Sequence, residues 1–201
     1  MTLIAERVHK ITIAEFDQFV EKISDASDYD LVDGEIVMMS NPTETHAQIA
    51  ANIGAALKPQ MDRRGCRTYL DSIRVQAGHD SNAHDKYKPD VVVRCGPVEN
   101  RTYITDPVIV VEILSPSTFE HDRGRKLFFY KTLSTVQHVV LVYSDQMRVE
   151  HYRRTEDGWR IVVLTRAEQF LELEALAFEM TLGEIYYELP ALSGAGSADS
   201  K

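Results

Sequence analysis

The chain has 201 residues, 44% hydrophobic and 26% charged, the size and balance of one globular domain with a core of its own. A count of 31 Asp and Glu against 22 Lys and Arg gives a formal charge of −9. That excludes a general nucleic-acid coat protein, which needs a basic excess, but leaves room for an enzyme that meets nucleic acid through a local patch.

No apolar run reaches the ~20 residues that a membrane helix needs. The N-terminus, MTLIAERVHK, has no apolar core of a signal peptide ahead of its charges, so a cytoplasmic location is expected. Cys66 and Cys95 form no C-x-x-C pair, which removes zinc-ribbon and thioredoxin readings. Two reduced, mostly buried thiols are expected.

In chain order, Thr12 and Glu15 form a capping box. Ile13, Phe16, Val20 and Ile23 follow at helical spacing, which predicts a helix over roughly 13–24. Asp33-Gly34 lies between two short apolar runs and signals a hairpin, because both turn residues must tolerate positive φ. Asn41 is expected to cap a second helix with Pro42 in its first turn. Ile49, Ile53 and Leu57 mark its inner face; Pro59 threatens it and Gly65 stops it. Strands are expected within 67–76 and at Pro89 to Val93, with the polar stretch 78–88 as a loop. Pro107 to Leu114 (PVIVVEIL) is short and rich in β-branched residues, which favours a central strand. A helix to about Leu133 follows, then strands at 139–143, 147–152 and 159–164 and a short last helix from Thr181. One α/β domain is expected over 1–190, with a disordered polar tail over 191–201.

Two carboxylates stand out. Asp90 opens one apolar strand and Glu112 interrupts another. An ionised carboxylate in a buried strand is costly unless something pairs with it. A hard divalent cation, Mg²⁺ or Mn²⁺, is one such partner; an arginine such as Arg94 or Arg74 is another. His79, His84 and Asp85 share a polar loop, but no ligand spacing supports zinc there. Neither a phosphate-binding G-x-x-x-x-G-K-[ST] loop nor a G-x-S-x-G elbow is present.

The order Pro89-Asp90 then Glu112-Ile113-Leu114 resembles the signature of the PD-(D/E)XK nuclease superfamily. The wider set narrows the resemblance. It runs through Tyr29-Asp30-Leu31-Val32-Asp33-Gly34-Glu35, His46, Pro89-Asp90-Val91, Val111-Glu112-Ile113-Leu114-Ser115-Pro116-Ser117 and Asp122, Lys126, Tyr130. In that order these motifs resemble the Uma-two family of restriction endonuclease-type proteins, formerly a domain of unknown function, over about Glu15 to Tyr186. The resemblance implies a restriction-endonuclease-like mixed β-sheet flanked by helices, with Mg²⁺ or Mn²⁺ held by Asp90 and Glu112 and assisted by Glu35.

The superfamily signature places a lysine where Leu114 stands. Residues two apart on a strand share a face, so Leu114 takes that lysine's direction, as the family's usual apolar residue does. Lys126 is the expected replacement cation, because Asp122, Lys126 and Tyr130 recur every fourth residue on one helical stripe. Without the resemblance, Asp122 and Lys126 read as a surface salt bridge, and Tyr130 reads as core packing. His46 is expected to contact a phosphate or position water.

The expected function is a Mg²⁺-dependent endonuclease acting on DNA, with a homodimer plausible. Two alternatives stay open: a nuclease-fold binding or assembly module without chemistry, and a metal-dependent hydrolase of another substrate. Basic clusters at Arg63-Arg64-Arg67, Arg123-Arg125-Lys126-Lys131 and Arg148-Arg153-Arg154 are the candidate phosphate contacts.

Overall fold

The computed structural model describes residues 9–23, 29–115 and 122–189. The expected tail over 191–201 lies outside them. The apolar run PVIVVEIL forms strand β8 (Pro107–Leu114) and is buried along nearly its whole length. A strand buried on both faces needs neighbours at both edges and cover above and below, and the rest of the chain supplies them.

β8 lies antiparallel to β6 (Val91–Cys95) and parallel to β9 (His138–Tyr143). β3 (Cys66–Leu70), β10 (Val149–Thr155) and β11 (Gly158–Leu164) complete a six-stranded sheet in the order β11-β10-β9-β8-β6-β3. One face is covered by α2 (Glu44–Arg63), whose Ile49, Ile53, Leu57 and Met61 pack on Val91, Val93, Ile109, Val111 and Ile113. A small hairpin, β12 (Phe170–Leu173) with β13 (Phe178–Thr181), and the short α4 (Leu182–Ile185) extend this layer.

The opposite face carries Val92, Val110 and Leu114. It meets α3 (Leu127–Thr132) and residues of a second, five-stranded sheet. That sheet joins β1 (Tyr29–Val32), β2 (Glu35–Met38), β4 (Arg74–Gln76), β5 (Lys86–Tyr87) and β7 (Tyr103–Ile104) in the order β2-β1-β5-β4-β7. The mixed α/β architecture expected from the sequence is therefore present. Among the described residues, no helix is long and apolar enough to cross a membrane.

The local signals act largely as read. Thr12 and Glu15 close their capping box at the start of α1 (Ile13–Val20), which ends earlier than the apolar spacing suggested. Asp33 and Gly34 have φ of 48° and 78°, the left-handed pair that a tight hairpin demands. A Cβ on Gly34 would stand 2.6 Å from the Lys10 Cβ, so only glycine fits. Two readings change. Thr43, not Asn41, caps α2, its hydroxyl accepting the His46 N–H at 3.2 Å. Pro59 does not end α2, since it and Ala55, whose carbonyl it leaves unbonded, are both exposed to water.

The cysteines correct a further expectation. Cys66 and Cys95 are not free thiols but a disulfide. The cause is register: β3 and β6 run antiparallel with these two residues directly opposed.

His138 and His151 form a buried pair on neighbouring strands, Nδ1 to Nε2 at 2.9 Å. The Ala175 N–H donates to His138 Nε2 at 3.3 Å, so that nitrogen carries no proton. Nδ1 of His138 is therefore the donor and His151 Nε2 the acceptor. Burial pushes both rings down to about 4, with Glu174 pulling upward against it. The neutral pair therefore stabilises the fold fully above the ordinary histidine value of 6.5, and that stability is lost as pH falls toward 4. Urea unfolding across this window should show a falling midpoint, and replacing both histidines with Gln should flatten the slope.

Candidate active site

β6 and β8 pair with Val91 opposite Val111. Asp90, one residue before β6, is thereby brought beside Glu112. Glu112 projects from the same strand face as Val110 and Leu114, toward α3 and the second sheet. The pairing read from the sequence is thus a consequence of strand register.

Each carboxylate has defined partners. Asp90 Oδ2 accepts the Ile113 N–H at 2.6 Å, and Oδ1 lies 2.9 Å from His46 Nε2. An ionised carboxylate only accepts, so His46 carries a proton on Nε2. Glu112 Oε1 accepts the Tyr130 hydroxyl at 2.6 Å, and Oε2 lies 3.5 Å from Lys126 Nζ.

Lys126 is the centre of this arrangement. It closes a π-helical turn, Asp122–Lys126, that runs directly into α3. Four residues separate it from Tyr130, so both side chains leave the same side and reach Glu112. Its ammonium also lies 3.0 Å from Asp30 Oδ2 on β1, while Asp30 Oδ1 accepts the Lys88 N–H at 2.8 Å. Asp30, Glu112 and Lys126 are 0%, 2% and 1% exposed. Each alone would carry a penalty of several kcal/mol for leaving water, and the one ammonium partly offsets the cost of the two carboxylates.

A cleft of about 430 Å³ opens onto the cluster. His46, Asp71, Lys88, Asp90, Glu112 and Lys126 line it, with the first turns of α2 as one wall. Lys88 Nζ holds Asp71 at 2.6 Å.

Of the expected site residues, Asp90, Glu112, Lys126 and His46 come together here. Glu35 does not: it is exposed on β2 and does not line the cleft. Tyr130, read as core, is fully buried and also bonds Glu112. Asp30 and Lys88 were missed. Asp30 had one signal, a charge in an otherwise apolar strand run; Lys88 had none beyond adjacency to Pro89-Asp90. Of the arginines weighed as partners for the carboxylates, Arg94 pairs with Asp106 and Glu99, and Arg74 donates to the Tyr29 carbonyl.

Asp90 and Glu112 offer the oxygen donors that hard divalent cations prefer. Among the described residues, no group of three or more His, Cys, Asp or Glu is placed to enclose a metal. The donor set therefore fits an ion anchored at two points and otherwise held by water or substrate oxygens, the manner usual for Mg²⁺.

A family model described as "Putative restriction endonuclease" (Uma2) matches residues 13–183, so the chain belongs to that family. Two relatives from Synechocystis sp. are both named as uncharacterized proteins. One, slr1290, is 28% identical over 179 residues, covering 88% of this chain and 92% of the relative. The other, sll1609, is 24% identical over 151 residues, covering 73% and 82%. A solved structure titled "putative nuclease belonging to DUF820", from Anabaena variabilis ATCC 29413, superposes with a TM-score of 0.69 at 18% identity, over 88% of this chain and 97% of that one. At that identity it shows the shared fold.

The buried cluster makes a stability prediction. Lys126→Met removes the ammonium that lies against both Asp30 and Glu112, and should lower unfolding free energy by about 3–5 kcal/mol. Adding Asp30→Asn removes one of the stranded charges and should recover part of that loss in urea titrations.

Proposed function

We propose that this Uma2-family chain is a Mg²⁺- or Mn²⁺-dependent endonuclease that hydrolyses phosphodiester bonds in DNA. The observation that carries the reading is the meeting of Asp90 and Glu112 at a cleft that also holds the Lys126 and Lys88 amines.

In this reading Asp90 and Glu112 hold the ion. When bound, it would polarise the scissile phosphate and lower the pKa of the attacking water. The chain's own residues do the rest. The Ile113 N–H and the His46 ring fix both oxygens of Asp90. Tyr130 fixes Glu112 through its hydroxyl. Lys126 supplies the positive charge absent at Leu114, and favours negative charge building on the phosphate in the transition state. Lys88, on the cleft wall, is placed to meet a phosphate oxygen as a point charge. Glu35, outside the cleft lining, is assigned a metal-side role only if the β1–β2 hairpin moves on loading.

A second reading keeps the fold and drops the chemistry. It is favoured by Lys126 itself, whose ammonium already lies against both Glu112 and Asp30, in the place a bound cation would take. A hydrolase of another phosphodiester is separated from both by a substrate panel.

Incubation of the purified protein with supercoiled plasmid and Mg²⁺ or Mn²⁺ should give nicked and linear forms. Asp90→Asn and Glu112→Gln should each reduce the rate by roughly 10²-fold or more while circular dichroism stays unchanged. Absence of cleavage with either ion sinks the proposal. Absence of calorimetric Mn²⁺ binding as well would favour the second reading.

A further inference from the structure

β11 is the outermost strand of the six-stranded sheet. Its sequence, Gly158-Trp159-Arg160-Ile161-Val162-Val163-Leu164, is apolar apart from one arginine and contains no proline. Ile161, Val162 and Val163 are 52%, 42% and 41% exposed. A long, flat, apolar edge is the feature that soluble proteins usually blunt with charge, proline or a bulge. Here it is left open.

The hydrogen-bond pattern settles which backbone groups point outward. The Tyr143 N–H donates to the Arg148 carbonyl, and the Arg154 N–H to the Gln137 carbonyl. The even-numbered residues of β10 therefore face β9 and its odd-numbered residues face β11. With Arg153 opposite Arg160 and His151 opposite Val162, the even residues of β11 bond inward. The N–H and C=O groups of Trp159, Ile161 and Val163 point out from the edge. Among the described residues, no strand, loop or cap pairs with them. The next outward group, the Thr165 N–H, is already taken by the Gln169 side chain at 2.9 Å.

We propose that this edge is a self-association surface. A second copy of the chain adds its own β11, antiparallel and two-fold about Ile161, so that two six-stranded sheets become one continuous sheet. The occupant is argued from self-complementarity. Outward groups must meet outward groups, which restricts the two-fold centre to residue 160, 161 or 162. A centre at Arg160 sets arginine against arginine. A centre at Val162 sets exposed Glu156 against exposed Glu168 of the other copy. A centre at Ile161 lets all three outward residues bond, Trp159 with Val163 and Ile161 with its own copy. It also sets exposed Glu156 opposite exposed Arg166. On one face it stacks Ile161 on Ile161 and Trp159 on Val163, the aromatic and β-branched cross-strand pairs that stabilise sheets most. The contact is isologous, and closes at two copies rather than growing into a fibre.

Sedimentation equilibrium over a concentration series should show the mass rising from the 22.8 kDa of one chain toward twice that value. Ile161→Lys should hold the protein at one copy with unchanged thermal unfolding. Glu156→Arg and Arg166→Glu should each weaken association by about tenfold or more, and the double swap should restore it. Hydrogen exchange at the Trp159, Ile161 and Val163 amides should slow as concentration rises. A protein that stays at one copy throughout overturns the proposal. So does a dimer indifferent to Ile161→Lys, a double swap that fails to rescue, or protection of these amides that is independent of concentration.

Discussion

A single buried ammonium connects three parts of this molecule that the chain order keeps far apart. Lys126 comes from the crossover between the two parallel strands β8 and β9. Asp30 comes from the second sheet, and Glu112 from the middle of the first. None of the three tolerates burial alone, so each is held in place by the need to compensate the others. The arrangement in which the second sheet and α3 cover the first sheet brings Asp30 to Lys126. The cleft beside Asp90 lies next to this contact, with the first turns of α2 and Lys88 around it.

The same cluster sets a cation at Glu112 although position 114 is leucine. Leu114 belongs to the apolar layer under the second sheet. Moving the cation onto the helix that follows keeps β8 apolar at its end while delivering an amine to Glu112 from above. The π-helical turn at Asp122–Lys126 contributes to that delivery, since its wider turn changes the angle at which Lys126 leaves the helix relative to an uninterrupted α-helix.

What could be read from the sequence follows the range of the interactions. The hairpin at Asp33-Gly34, the capping boxes at Thr12 and Thr181, and the central strand at 107–114 are local, and the chain carries their signals in adjacent residues. Asp90 and Glu112 were legible because a charge inside an apolar strand is conspicuous by itself. Lys126 was legible through the family resemblance, since its spacing alone reads as a surface salt bridge, and Tyr130 read as core. Asp30 was not, because its burial depends on a second sheet folding over the first. The Cys66–Cys95 bond was hidden for the same reason: it follows from a strand register set by distant hydrophobic matching. The α2 cap fell on Thr43 rather than Asn41 because several residues there can cap, and packing of the helix chooses among them.

The acidic balance of −9 gains meaning once the basic residues are located. Arg148 is held by Glu150, Arg153 by Glu174, and Arg154 by the carbonyls of Lys131, Leu133 and Val136. Arg64 donates to the Gln60 and Ala177 carbonyls. These arginines brace strand ends and loops instead of forming a basic face. Lys88 and Lys126, the amines that line the cleft, are engaged in the same way, by Asp71 and by Asp30 and Glu112. A polyanion that met only a few such groups would release few counterions, and its binding would depend only shallowly on salt.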